Sequence, residues 1–367
     1  MGDSPLIGCP KDELDTPALC VDLDAMESNI RAMVEACRAH GVDWRPHAKC
    51  HKSPEIGRTL IEAGAVGLTC AKLGEAEVMA AGGISDLLIA NYIVGRQKIA
   101  RLVELRRVAD PIVCIDHPAQ AEAIGAAMQQ AGLRLRVLIE VDIGLRRAGV
   151  LPGPPALELA RMIVATDGLL LAGVMGYEGH LLTLSDPEDK QRQIHAALEQ
   201  VVETKRLLER SGIACPIVSC GGTGSYEITL THEGVNELQA GGAIFMDVFY
   251  RHQCNVRSLQ YAMTVLTTVV STPASDRAII DAGRKTLNQE IEMPEVVGRE
   301  DLTVESLSAE HGTLRLAPGA KALRIGDRLE LIPGYGDLTT VLHDEIYGLR
   351  GGRLQQVIEI EGRGKIR

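Results

Sequence analysis

Aromatic side chains are scarce: they make up 3% of the chain, with Trp44 the single tryptophan and only two phenylalanines. A core must then be packed from aliphatic residues, and no series of rings is available on which successive nucleobases could stack. Basic residues are also in deficit, 38 Lys and Arg against 49 Asp and Glu, for a net charge of -11. Such a chain repels a phosphate backbone, so nucleic acid is not an expected partner and basic residues must act locally. Apolar runs of the roughly 18 residues needed to span a bilayer are missing, so no membrane partner is expected. The opening MGDSPLIGCPKDELDTP has acids and prolines where a secretion leader needs a basic start and an apolar run. Nine cysteines include no CxxC pair and no regular spacing, which reads as reduced thiols in a cytoplasmic protein.

What is present is alternation. Short apolar runs at 42–49, 64–71, 86–92, 111–116, 135–142, 170–179, 217–222 and 237–245 read as strands, and segments of helical period lie between most of them. Eight strands alternating with helices predict a (β/α)8 barrel. A strand at 19–23 leading into a helix from Asp24 to about His40 precedes them. After Tyr250 the runs at 263–271, 277–281, 328–331 and 355–360 are β-rich and broken by Gly, Pro and Asp. The expected organisation is an arm at 1–17 that joins the β domain, a barrel at 18–252 and a mostly-β C-terminal domain at 253–367.

Chemistry in such barrels gathers where strands run into their following loops. In VDWRPHAKCHK, residues 42–52, a strand would project Arg45, His47 and Lys49 from one face. Cationic neighbours and partial burial lower an amine's pKa and leave it nucleophilic toward an aldehyde; taken alone, Lys49 reads more readily as a solvent-exposed strand end, and the rest of the chain has to overturn that. GGTGS at 221–225 has the form of an anion cradle, with Thr223 and Ser225 adding hydroxyls, and Gly241 and Gly242 close the next strand. A single glycine-rich loop is as often a tight turn. Arg147 in DIGLRRAGV and Tyr177, Glu178 and His180 in YEGH also fall at strand ends. Tyr177 could meet a ring nitrogen or simply cap the barrel, while Glu178 and His180 are acid/base candidates. A nucleophilic lysine on the first barrel strand, with a phosphate cradle on strands seven and eight, is the arrangement that holds pyridoxal phosphate. A metal hydrolase built on His47 and His51 would leave GGTGS without a role.

The motifs DTPALCVDLDAMESNI, RPHAKCHKSPEI, EVDIGLRRAGV, CGGTGSYE, ELQAGGAIFMD and LHD, in that order over nearly the whole chain, resemble the D-threonine aldolase and D-serine dehydratase group. These are fold-type III pyridoxal phosphate enzymes related to alanine racemase. The resemblance implies that Lys49 is the cofactor lysine, Arg147 lies against the ring's phenolic oxygen and Tyr177 meets the pyridine nitrogen. It further implies that Thr223, Gly224, Ser225, Gly241 and Gly242 bind phosphate, in a homodimer acting on D-amino acids. A lyase of β-hydroxy-D-amino acids such as D-threonine, by aldol cleavage or dehydration, is the expected activity, with Lys49, Tyr335 and His180 as catalytic residues. Metal-independent racemisation through Lys49 and Tyr335 is the alternative, and a non-catalytic pyridoxal phosphate carrier would lack the β domain. Two departures stand out. In the PGYGD segment Tyr335 takes the place of the family's metal-binding histidine, leaving Asp337 as the remaining divalent-metal candidate, and Thr183 stands where the aldolases carry a histidine.

Overall fold

The computed structural model describes residues 6–367, which form two compact units. One comprises Met33–Lys49, Pro54–Gly241 and Gly364–Arg367; the other comprises Gly242–Arg363 with the chain up to Ala32 and the short piece Cys50–Ser53.

The first unit is the barrel. After β1 (Ala18–Asp22), which belongs to the other unit, its strands are β2 (Asp43–Trp44), β3 (Leu68–Cys70), β4 (Asp86–Ile89), β5 (Asp110–Ile115), β6 (Leu135–Glu140), β7 (Leu169–Met175), β8 (Ile217–Cys220) and β9 (Glu237–Leu238). All pair in parallel in the order β2-β9-β8-β7-β6-β5-β4-β3, and the isolated parallel bridge between His47 and Thr69 closes the ring. β4, β5 and β6 read DLLI, DPIVCI and LRVLIE with nearly every position buried, the continuous aliphatic pattern of strands covered on both faces. Each fully buried Leu or Ile contributes roughly 1.5–3 kcal/mol. The helices are α1 (Leu23–Ala39), α2 (Pro54–Ala63), α3 (Leu73–Ala81), α4 (Arg96–Val108), α5 (Pro118–Gln130), α6 (Pro154–Ala165), α7 (Pro187–Arg210) and the single turn α8 (Tyr226–Thr229). α7 starts sharply because the Asp186 carboxylate caps the Asp189 N–H at 2.7 Å and Pro187 follows with its φ already helical.

The second unit is built on one sheet ordered β13-β14-β11-β10-β1-β16-β17, with β15 pairing β10 and β12. These strands are β10 (Met263–Ala274), β11 (Arg277–Ile280), β12 (Glu295–Val296), β13 (Leu302–Leu307), β14 (Gly312–Leu316), β15 (Arg328–Ile332), β16 (Glu345–Arg350) and β17 (Arg353–Glu359), with the short helix α9 (Gly336–Thr340) between β15 and β16. β1 lies inside this sheet, antiparallel to β10 with Ala18 opposite Leu266, and parallel to β16 with Cys20 opposite Tyr347. No helix among the described residues is long and apolar enough to cross a membrane.

Candidate active site

The expected strand runs on past β2 as far as His47 but does not include Lys49. The Asp43 and Arg45 N–H groups both donate toward β9, at Asn236 and Leu238 C=O, and Pro46, which has no N–H, accepts the Thr69 N–H at 3.0 Å on the other side. Arg45 turns into the barrel wall, 3% exposed, with Nε 2.8 Å from Glu237 Oε2 and Nη1 2.9 Å from Asp86 Oδ1. Glu237 also accepts the Ser219 hydroxyl at 2.7 Å, so both of its oxygens are used. Arg45 is thus a structural ion pair, not a neighbour that tunes Lys49. The contact with β9 continues at His47, whose N–H reaches Gln239 C=O at 3.2 Å, and the chain then tightens into the 3-10 turn Ala48–Cys50. Lys49 sits in that turn, half-buried, its N–H donating to His47 Nδ1 at 3.3 Å. His51 is fully buried, accepts the Ser53 N–H on Nδ1 and is pushed by burial down to about 3. It is therefore neutral.

The 221–225 turn follows β8. It is closed by the Ser225 N–H on Gly222 C=O at 3.1 Å and the Gly222 N–H on Ser225 Oγ at 3.2 Å. Three donors are left over. The Thr223 hydroxyl is buried without a partner, and the N–H groups of Thr223 and Gly224 meet no protein acceptor among the described residues. Three unpaired donors on two adjacent residues of one turn fit an anion. Ser225 is engaged differently, its hydroxyl donating to Glu178 Oε1 at 2.6 Å. Gly241, after β9, passes so close to β2 that a Cβ there would lie 2.2 Å from His47 C=O, which only glycine permits. Gly242 opens the next 3-10 turn, Gly242–Ile244.

Tyr177 follows β7 and packs flush on the cradle, since a Cβ on Gly222 would meet its ring at 3.1 Å. The Arg147 guanidinium, after β6, lies 5.8 Å from the Tyr177 ring centroid and 3.6 Å from Glu140 Oε1. Glu140 is itself buried and takes the Tyr92 hydroxyl at 2.6 Å, so Arg147 is held from behind by an anchored carboxylate. His180 is exposed in the turn Gly179–Leu181, its ring against Gly144. Its sequence neighbour Glu178 is fully buried and faces the cradle's hydroxyls. Lys49, Arg147, Tyr177, Thr223 and Gly241 therefore all follow the C-terminal ends of parallel strands of one barrel. An aldehyde-accepting amine, an aromatic platform, a guanidinium and a phosphate cradle on one rim fit pyridoxal phosphate.

In the other unit the Tyr335 hydroxyl donates to Asp337 Oδ2 at 2.9 Å. Asp337 is 8% exposed, and the Tyr335 ring packs edge-on against Phe249 and Tyr250. His343 Nε2 is bonded to Thr286 C=O at 2.9 Å, and no three His, Cys, Asp or Glu side chains cluster to hold a metal among the described residues. A phenol hydrogen-bonded to a carboxylate is a poor match for a divalent ion, which takes several oxygen or imidazole ligands.

Comparison with known proteins bears on this arrangement. Residues 21–248 match the family model for the alanine racemase N-terminal domain, and residues 262–349 match a putative serine dehydratase domain. D-Threonine aldolase of an Arthrobacter species is 38% identical over 359 residues, covering 97% of this chain and 95% of that protein. 3-Hydroxy-D-aspartate aldolase of Paracoccus denitrificans is 36% identical over 98% of this chain and 95% of its own length. The crystal structure of D-threonine aldolase from Filomicrobium marinum superposes with a TM-score of 0.96 at 36% identity, covering 98% of both chains.

Proposed function

The chain belongs to the alanine racemase N-terminal-domain family, and on that premise we propose that it is a pyridoxal phosphate-dependent lyase of β-hydroxy-D-amino acids such as D-threonine. The observation that carries the reading is the set of unpaired donors on Thr223 and Gly224, on the same barrel rim as the half-buried Lys49. When bound, pyridoxal phosphate supplies an electron sink for the substrate's α-carbon. Lys49 would provide the amine that holds the cofactor's aldehyde, and an amine able to take or return a proton at the substrate's α-carbon. The Thr223 hydroxyl and the N–H groups of Thr223 and Gly224 would hold the phosphate, with Gly241 and Gly242 at the end of the neighbouring strand. By the resemblance, Arg147 would serve the ring's phenolic oxygen and the Tyr177 phenol the ring nitrogen. His180, exposed on this rim, is the group we assign to the proton of the substrate's β-hydroxyl.

Lyase chemistry is preferred to racemisation because the two curated relatives described are both aldolases and align over nearly the whole chain. Metal independence is part of the proposal, supported by the Tyr335 phenol beside Asp337 and by the lack of a cluster of three His, Cys, Asp or Glu side chains among the described residues, and no step is routed through a metal. All nine cysteines are free thiols, which suits a reducing cytoplasm. The homodimer is carried over from the resemblance, and sedimentation of the holoprotein checks it. Incubating holoenzyme with D-threonine and L-threonine tests the activity. The expected outcome is D-specific release of glycine and acetaldehyde, or of ammonia and 2-oxobutanoate; epimerisation without cleavage would overturn it.

A further inference from the structure

Behind the donors of the 221–225 turn lie two buried titratable side chains that the proposed chemistry does not use. Glu178 is completely buried at the end of β7, with Oε1 accepting the Ser225 hydroxyl at 2.6 Å and the Thr229 hydroxyl at 2.9 Å, while Oε2 has no partner. Lys190, 7% exposed in the first turn of α7, donates from Nζ to Gly224 C=O at 3.0 Å. Burying a carboxylate and an ammonium is costly, and apolar side chains would fill the same space more cheaply if packing were the only demand.

What the two groups fix is direction. A serine hydroxyl has one proton, and Glu178 takes it, so a lone pair of Ser225 Oγ is left for the Gly222 N–H. Lys190 draws the Gly224 carbonyl toward α7, and the N–H of the same peptide, that of Ser225, closes on Gly222 C=O. With the N–H groups of Gly222 and Ser225 spent inside the turn, those of Thr223 and Gly224 are the ones left without a protein acceptor among the described residues.

We infer that Glu178 and Lys190 are positioning residues of the phosphate cradle, holding the turn in the conformation that presents Thr223 and Gly224 to a phosphate monoester. They thereby set the preference for phosphorylated over unphosphorylated pyridoxal. The inference rests on the proposed cofactor. Burial is the largest influence on the Glu178 carboxyl and pushes it up, opposed first by the Ser225 hydroxyl. Glutamine, neutral but still offering an oxygen to both hydroxyls, is therefore the mild replacement, and leucine the severe one.

The test titrates apoprotein of the wild type, Glu178→Gln, Glu178→Leu and Lys190→Met with pyridoxal phosphate and, separately, with pyridoxal, following the absorbance of the bound chromophore. Glu178→Leu and Lys190→Met should lose about tenfold of the preference for the phosphorylated form, with pyridoxal affinity held within about twofold, and Glu178→Gln should fall between them and the wild type. Parallel loss of both ligands, or an unchanged ratio in Lys190→Met, would overturn the positioning role. Wild-type protein that binds neither compound would instead refute the cofactor reading.

Discussion

Replacing Thr223 with valine should move stability and cofactor affinity in opposite directions. The exchange swaps a hydroxyl for a methyl of nearly the same volume and keeps the β-branch, so the backbone has no reason to shift. In the protein without cofactor, Thr223 is 3% exposed and its Oγ1 is unpaired. A buried hydroxyl in that condition costs about 1–3 kcal/mol, so its removal should stabilise the apoprotein by about 1 kcal/mol. Against a phosphate the same hydroxyl becomes a charge-assisted donor contributing about 1.5–3 kcal/mol, so the variant should bind pyridoxal phosphate roughly ten- to a hundredfold more weakly. Thr223→Ser, which keeps the donor and loses the methyl, should bind close to the wild type while being less stable. The denaturation midpoint of each apoprotein and an equilibrium titration with cofactor measure the two arms. A valine variant less stable than the wild type, or one with unchanged cofactor affinity, would show that the hydroxyl already has a partner and that 221–225 is only a turn.

The alternation of apolar runs and helices was readable because β4, β5 and β6 are buried on both faces and leave an unbroken aliphatic signature. Period-two reasoning holds from Asp43 to His47, whose alternate N–H groups all donate toward β9, and fails at Lys49, where the chain leaves the ladder for the turn Ala48–Cys50. The fate of Arg45 depended on Glu237 and Asp86, acids far along the chain, which no local pattern names. The same holds for Glu178 and His180. They stand two positions apart and look alike as acid/base candidates, yet one is fully buried against Ser225 and Thr229 and the other is exposed. GGTGS announced hydroxyls and glycines but not their assignment, because the destination of the Ser225 proton is set by a residue on another strand. The placement of β1 between β10 and β16 was equally hidden, since a sheet assembled from both ends of a chain leaves no trace in the order of its strands.

Borohydride reduction of the holoprotein and peptide mapping should place the pyridoxyl group on Lys49; a label on Lys52 or Lys72 would displace the cofactor assignment. Arg45→Met strands the buried Glu237 carboxylate and should cost about 3–5 kcal/mol in chemical denaturation, with much of the loss recovered in the double variant Arg45→Met/Glu237→Leu. A loss below about 1 kcal/mol would show that the ion pair is solvated rather than closed. For metal, the Tyr335 hydroxyl donates to Asp337 Oδ2, so a cation on that oxygen would have to displace the bond. Chelation should therefore leave wild-type activity intact. Tyr335→His, which replaces that donor with an imidazole beside the same carboxylate, should purify with more divalent metal than the wild type. Metal content per protomer by mass spectrometry, read beside activity with and without EDTA, decides the matter. Stoichiometric metal in the wild type, together with an inactive Asp337→Ala and an active Tyr335→Phe, would mean that Asp337 recruits ligands outside the pair seen here and that the lyase is metal-assisted after all.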